Sequence, residues 1–168
     1  MLVNTYSHVE TYAEFSEIAL QQIAGKRDLI EVCGPISTSG KGSIEENLKE
    51  FEILIGILKE LSFQVFDQTP YEKDLHRIKD TRARMGLFEK YDYALLEEFY
   101  RPIMESGIIT TLLFLPGYET STGSKWEEVC GLENDLRALY LDPRWQKQYQ
   151  NSGVLRVYSQ CNIAEQSN

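Results

Sequence analysis

The sequence predicts an α/β fold, a three-layer sandwich built on a mostly parallel sheet. Three observations carry the prediction. Short apolar runs, at 28–33 (Asp-Leu-Ile-Glu-Val-Cys) and 108–115 (Ile-Ile-Thr-Thr-Leu-Leu-Phe-Leu), alternate with longer stretches of helical apolar spacing. Each of these runs leads into a loop rich in small residues and then a helical pattern, as βαβ units do. The 168 residues, 42% hydrophobic and 26% charged, suffice for one domain with its own core and no disulfide or metal.

Taken in order, residues 8–24 read as an amphipathic helix. Ser7-x-x-Glu10 is its capping box, Val9, Tyr12, Ile18, Ala19 and Ile23 its apolar stripe, and Gly25 its stop. Strand 28–33 opens a core that extends to about 158. The loop 34–42 follows, then a helix over 44–61 capped by Ser43-x-x-Glu46, with Ile44, Leu48, Phe51, Ile55 and Leu58 inward. Phe63–Phe66 is a short second strand. The charged stretch 69–90 lacks clean periodicity and reads as a partly helical excursion outside the core. A helix over 91–106 is interrupted or restarted near Pro102. Strand 108–115 leads to a helix over 122–140, with Trp126, Val129, Leu132, Leu136 and Leu139 inward. Residues 154–158 form a late strand, and Asn162 to Asn168 a polar tail. The whole chain, 1–168, reads as one domain with a flavodoxin- or Rossmann-like sheet. Its loops 34–42 and 116–124 leave the carboxyl edge side by side at the switch point, where such sheets bind ligands.

Composition narrows the function. A formal charge of −9 disfavours nucleic-acid backbone as a partner, though one local loop can still hold a small anion. Only His8 and His76 are available for His-based chemistry. Cys33, Cys130 and Cys161 form no ligand-spaced cluster, so no metal site is expected. Reduced thiols, no leader pattern in residues 1–7 and no apolar run near the roughly 20 residues of a membrane span lead to the expectation of a cytoplasmic protein without a membrane partner.

The richest stretch is Leu115-Pro-Gly-Tyr-Glu-Thr-Ser-Thr-Gly-Ser-Lys-Trp-Glu127. Strand, small-residue loop and helix start together offer free N–H donors and a positive dipole end, which suit a phosphate. Glu127 then faces whatever that phosphate carries. The same letters also fit a capping box, Ser124-x-x-Glu127, in which Glu127 only satisfies backbone N–H groups. The loop Gly34-Pro-Ile-Ser-Thr-Ser-Gly-Lys-Gly42 lacks the Walker A spacing, so NTP hydrolysis is not expected. Lys41 and the loop's hydroxyls are candidate ligand contacts, with a plain connector as the alternative. Tyr71 and Glu72 either wall a pocket or cap a turn, and His76 reads as exposed.

These segments carry a resemblance. The Gly34-Pro35-Ile36-Ser37 turn after a strand, Glu46-Asn47-Leu48 in the next helix, and the 115–127 stretch resemble the nucleoside 2-deoxyribosyltransferase superfamily, which includes deoxynucleoside 5′-monophosphate N-glycosidases. The resemblance covers about residues 28–140. It implies that Glu127 attacks the anomeric carbon as nucleophile, and that Ser121, Gly123 and Ser124 hold phosphate or sugar. It also implies that Gly34, Pro35, Ile36 and Ser37 form the opposite wall. A carboxylate suits an oxocarbenium-like transition state, since a nearby anion stabilises it and can bond to it. The family's Asp at the start of the preceding strand is missing: this strand begins Ile109-Thr110-Thr111. The acid that protonates the leaving base is therefore open, with Glu98 as a substitute and Arg101 nearer the expected place.

The expectation is thus cleavage of the N-glycosidic bond of a (deoxy)nucleoside or nucleoside 5′-monophosphate, by hydrolysis or base transfer, without cofactor or metal and in a homo-oligomer. A non-catalytic module that senses or sequesters a nucleotide, and an NAD-type glycohydrolase, are the alternatives.

Overall fold

The structure is a computed structural model, and it describes residues 6–36 and 40–160. Ser37, the tail from 161 and Cys161 lie outside the described residues. Five strands form one sheet in the order β2-β1-β3-β4-β5. β1 (Leu29–Cys33) pairs in parallel with β2 (Val65–Phe66) and with β3 (Ile109–Phe114). β3 pairs in parallel with β4 (Arg137–Leu141), and β5 (Val157–Ser159) closes the edge antiparallel to β4. This is the order expected of a flavodoxin-like sheet, with one antiparallel edge strand.

Side chains alternate across the two central strands, and the alternation sorts the core into two layers. Leu29 and Cys33 of β1, with Leu112 and Phe114 of β3, face one layer. It is completed by α1 (Tyr12–Ile23), α3 (Glu72–Arg84), the helical segment 93–104 and α5 (Thr122–Glu133). Val32, Leu113 and Leu115 face the other layer, with α2 (Ile44–Glu60) and α6 (Trp145–Ser152). Among the described residues no helix is long and apolar enough to cross a membrane.

Several sequence expectations change. The first helix starts at Tyr12, because the capping box is Thr11 with Glu14 and not Ser7 with Glu10. The charged stretch 69–90 is no excursion. Tyr71, Leu75 and Ile78 recur at helical spacing and reach the core, so α3 packs on the sheet. The segment near Pro102 does not break. A π-helical turn at Leu95–Tyr100 runs into α4 (Arg101–Met104), with Arg101 N–H bonded to Leu96 O five residues back. The helix expected to 140 ends at Glu133: Asp135 turns the chain with a positive φ of 56°, and residues 137–141 are β4. Leu136 and Leu139 copy helical spacing by coincidence. On α5 itself Val129 and Leu132 are exposed, and the inward face is Ser124, Glu127, Cys130 and Gly131. Gly131 lets this helix lie close to the sheet, since a Cβ there would sit 2.4 Å from Leu112 Cδ1.

α3 is tied to α1 through Asp92, which follows it in the chain. Buried Asp92 receives both Arg82 Nε (2.8 Å) and Nη2 (3.2 Å), as well as the Tyr12 hydroxyl (3.0 Å). Removing one partner of such a pair strands a buried charge. Arg82→Met is expected to destabilise the protein by roughly 2 to 4 kcal/mol, with Asp92→Asn in the same chain restoring part of it, as read by urea unfolding.

Candidate active site

The carboxyl ends of β1 and β3 are locked together by Leu115 N–H donating to Cys33 O (2.8 Å). The loop after β1 is held by Asn47 at the start of α2, whose Nδ2 donates to Ile36 O (2.9 Å) while its Oδ1 accepts from Lys41 N–H (2.8 Å). Between these loops, α3 and the 91–100 segment lies a cavity that opens to solvent. Gly34 and Ile36 line one side, Ser121, Gly123, Ser124 and Glu127 another. Glu72, His76 and Lys79 of α3 and Tyr91, Leu96 and Tyr100 complete it.

Glu127 is not a helix cap. Ser121 is the N-cap, its hydroxyl accepting from Ser124 N–H (3.3 Å), which puts Glu127 inside the helix. Glu127 is only 7% exposed. A cap contributes about 1 kcal/mol, whereas burying a carboxylate costs several, so this placement does not serve helix stability. Burial raises the Glu127 pKa well above the carboxylate range, and the nearby carboxyls of Glu31 and Glu72 push the same way. Cys33 and Ser124 face it and act in the opposite direction.

Two further carboxyls belong to this group. Glu31 occupies the middle of β1 and, by strand alternation, shares the face of Leu29 and Cys33. It is fully buried, and neither of its oxygens has a hydrogen-bond partner among the described residues. Burial lifts its pKa to about 8. Glu72 opens α3 and accepts from the Tyr100 hydroxyl (3.2 Å). Burial raises it to about 6, tempered by His76, Tyr100 and Lys79. His76, expected to be exposed, is part of the wall: Nδ1–H donates to Glu72 O (2.8 Å), leaving Nε2 buried without a partner among the described residues. Among the described residues no three His, Cys, Asp or Glu side chains are arranged to hold a metal ion.

The sequence-predicted residues divide cleanly. Glu127, Ser121, Gly123, Ser124, Gly34 and Ile36 meet at the cavity. At Gly123 the close neighbour is the Tyr91 hydroxyl, 2.8 Å from where a Cβ would stand. Pro35 is buried but lies outside the lining, against Gly40. Three candidates are corrected. Lys41 is exposed and borders a separate cleft with α6, because the Asn47 clasp turns the loop outward there. Glu98 is exposed on the far side of the π turn. Arg101 pairs with Glu97 (2.6 Å), Glu105 and Glu133 and lies over the Trp126 ring, on the outer side of α5. Glu128, one step around the helix from Glu127, accepts from the Tyr118 and Tyr140 hydroxyls instead. Sequence reasoning missed Glu31, Lys79, Tyr91 and Tyr100. The one available signal was Glu31 itself, a carboxylate in the middle of an apolar strand.

Comparison with known proteins finds no matching family model, no matching curated protein and no matching solved structure.

The buried carboxyls set a pH dependence of stability. Glu31 is raised in the folded chain, so its contribution is fully present below the ordinary carboxylate range and is lost as pH rises to about 8, at up to about 1.4 kcal/mol per pH unit. Calorimetry is expected to show Tm falling from pH 5 to pH 8.5, with Glu31→Gln flattening much of that slope.

Proposed function

We propose that the cavity cleaves the N-glycosidic bond of a (deoxy)nucleoside or nucleoside 5′-monophosphate, with Glu127 as nucleophile. The observation that carries this reading is Glu127 itself, a carboxyl buried on the inward face of α5 and bordering the cavity beside the helix N-terminus. The Thr122 and Gly123 N–H groups and the Ser121 hydroxyl suit a phosphate or sugar hydroxyl there. A sugar held at that end has its anomeric carbon within the field of Glu127.

In this scheme a Glu127 oxygen bonds to the anomeric carbon as the C–N bond breaks, and the bonding electrons leave with the base. Glu72, not Glu98 or Arg101, delivers the proton to the departing nitrogen. Its raised pKa of about 6 keeps a useful fraction protonated near neutrality. The resulting carboxylate then takes a proton from water, whose oxygen displaces Glu127 from the sugar and restores both groups. Lys79 beside Glu72 offsets charge that develops on the base. A second base in place of water gives transfer rather than hydrolysis.

A binding-only role is the second reading, favoured by one observation: three raised carboxyls without a cation paired to Glu127 hold negative charge poorly. One assay separates the two. The protein is incubated with the four deoxynucleoside monophosphates, their nucleosides and NAD, and free base is sought by chromatography. Base release is expected, lost in Glu127→Ala and lowered about 100-fold or more in Glu72→Gln. Because Glu72 must carry the proton, the rate is expected to fall as pH rises through about 6, and Glu72→Gln to remove that fall. Saturable binding without product from any of these compounds would replace catalysis by sequestration.

A further inference from the structure

Glu31 stands outside the cavity lining, and nothing in the proposed reaction uses it. It is nevertheless a costly side chain to keep. Its carboxyl is completely buried in the central strand, and among the described residues no donor reaches either oxygen. An unpaired carboxylate in such a place is far less favourable than a neutral acid. In the β1–β3 register Glu31 stands opposite Leu112, which packs beneath Gly131 of α5, one helical turn beyond Glu127 on the same buried face. Cys33 lies two residues on along its own strand, and Glu127 and Tyr100 are near enough to interact with it electrostatically. Cys33 and Tyr100 are neutral donors, so Glu127 is the group able to accept strongly. Two carboxyls in one dry layer cannot both ionise, and one proton between them satisfies both.

We propose that Glu31 is the proton-bearing partner of Glu127: it stays a neutral carboxylic acid and presents its O–H to the Glu127 carboxylate. Glu31 is then a positioning residue, buried behind the nucleophile rather than against the substrate. It allows Glu127 to be an anion without any cation beside it. It also holds one Glu127 oxygen, leaving the other for the cavity. The role assigned to Glu127 rests on the N-glycosidic reading; the shared proton does not.

The sign of one substitution separates this arrangement from its opposite. If Glu31 donates to Glu127, Glu31→Leu removes the donor, drives Glu127 towards its protonated form and lowers base release by about 100-fold or more. Glu31→Gln, which keeps an N–H donor, recovers most of that loss. If Glu31 were instead an anion repelling Glu127, Glu31→Leu would favour ionised Glu127 and raise activity.

The proton is observed directly by infrared difference spectroscopy of the free protein in heavy water. A protonated-carboxyl band is expected at pH 7, where Glu72 is mostly ionised. It titrates away around pH 8, disappears in Glu31→Gln and persists in Glu127→Gln. Loss of the band in Glu127→Gln with retention in Glu31→Gln would place the proton on Glu127 and overturn the proposal, as would no band at pH 7. Circular dichroism confirms that each variant is folded. Because the band is read without substrate, a chain that releases no base from any compound still tests the proton's location.

Discussion

The parallel pairing of β1 with β3 is the constraint from which the rest follows. It runs from Leu29 opposite Ile109 to Cys33 opposite Phe114. Both strands are interior, so both faces are covered and their side chains are committed to one layer or the other. Two segments some eighty residues apart then end at the same edge, and their loops become the two sides of one cavity. Leu115 N–H bonded to Cys33 O extends the ladder one step past the strands and fixes the spacing of those loops. The same register decides which side chains of β1 look toward α5, and Glu31 is one of them.

That face of the sheet is electrostatically unusual. A layer otherwise filled by Phe15, Phe99, Phe114 and Leu112 admits Glu31, Glu72 and Glu127, with no cation paired to Glu31 or Glu127 among the described residues. Other buried carboxylates of the chain are paired with cations: Asp92, also in the cavity wall, takes Arg82, and Asp74 takes Arg77 at 2.9 Å. The contrast is local to Glu31 and Glu127. Carboxyls kept partly neutral by burial are proton carriers at neutral pH, which an exposed Asp or Glu is not. The cost is borne by the same packing that makes the site dry.

The wall opposite α5 comes from the segment that looked least structured. α3 contributes Glu72, His76 and Lys79 at positions i, i+4 and i+7, a single stripe turned to the cavity. Tyr91 lies over the start of α5 at Gly123, and its ring packs against Tyr93, which is exposed at 54%. The π turn brings Tyr100 round to meet Glu72, a position that regular α-helical winding from Leu95 would displace by part of a turn.

Much of the architecture could be read from the chain itself, because local rules suffice for it. Short apolar runs marked β1 and β3, Ser43 marked the start of α2, and the small-residue loop after Leu115 announced a strand-to-helix transition. The same loop, with Glu127 beyond it, indicated where a site would be. The burial of Glu127 and Glu31 and the place of Glu72 in the cavity wall were decided by tertiary structure alone. Capping and burial share the same letters at Ser124-x-x-Glu127, and only the N-cap at Ser121 and the contact of α5 with the sheet distinguish them. Leu136 and Leu139 fit a helix until Asp135 turns the chain and β3 offers a free edge to β4. Glu98 and Arg101 were near in sequence to the expected acid but lie on the outer side. Local sequence sets periodicity and turns, whereas the proximity of three carboxyls depends on which strand edges pair and how closely a helix can approach them.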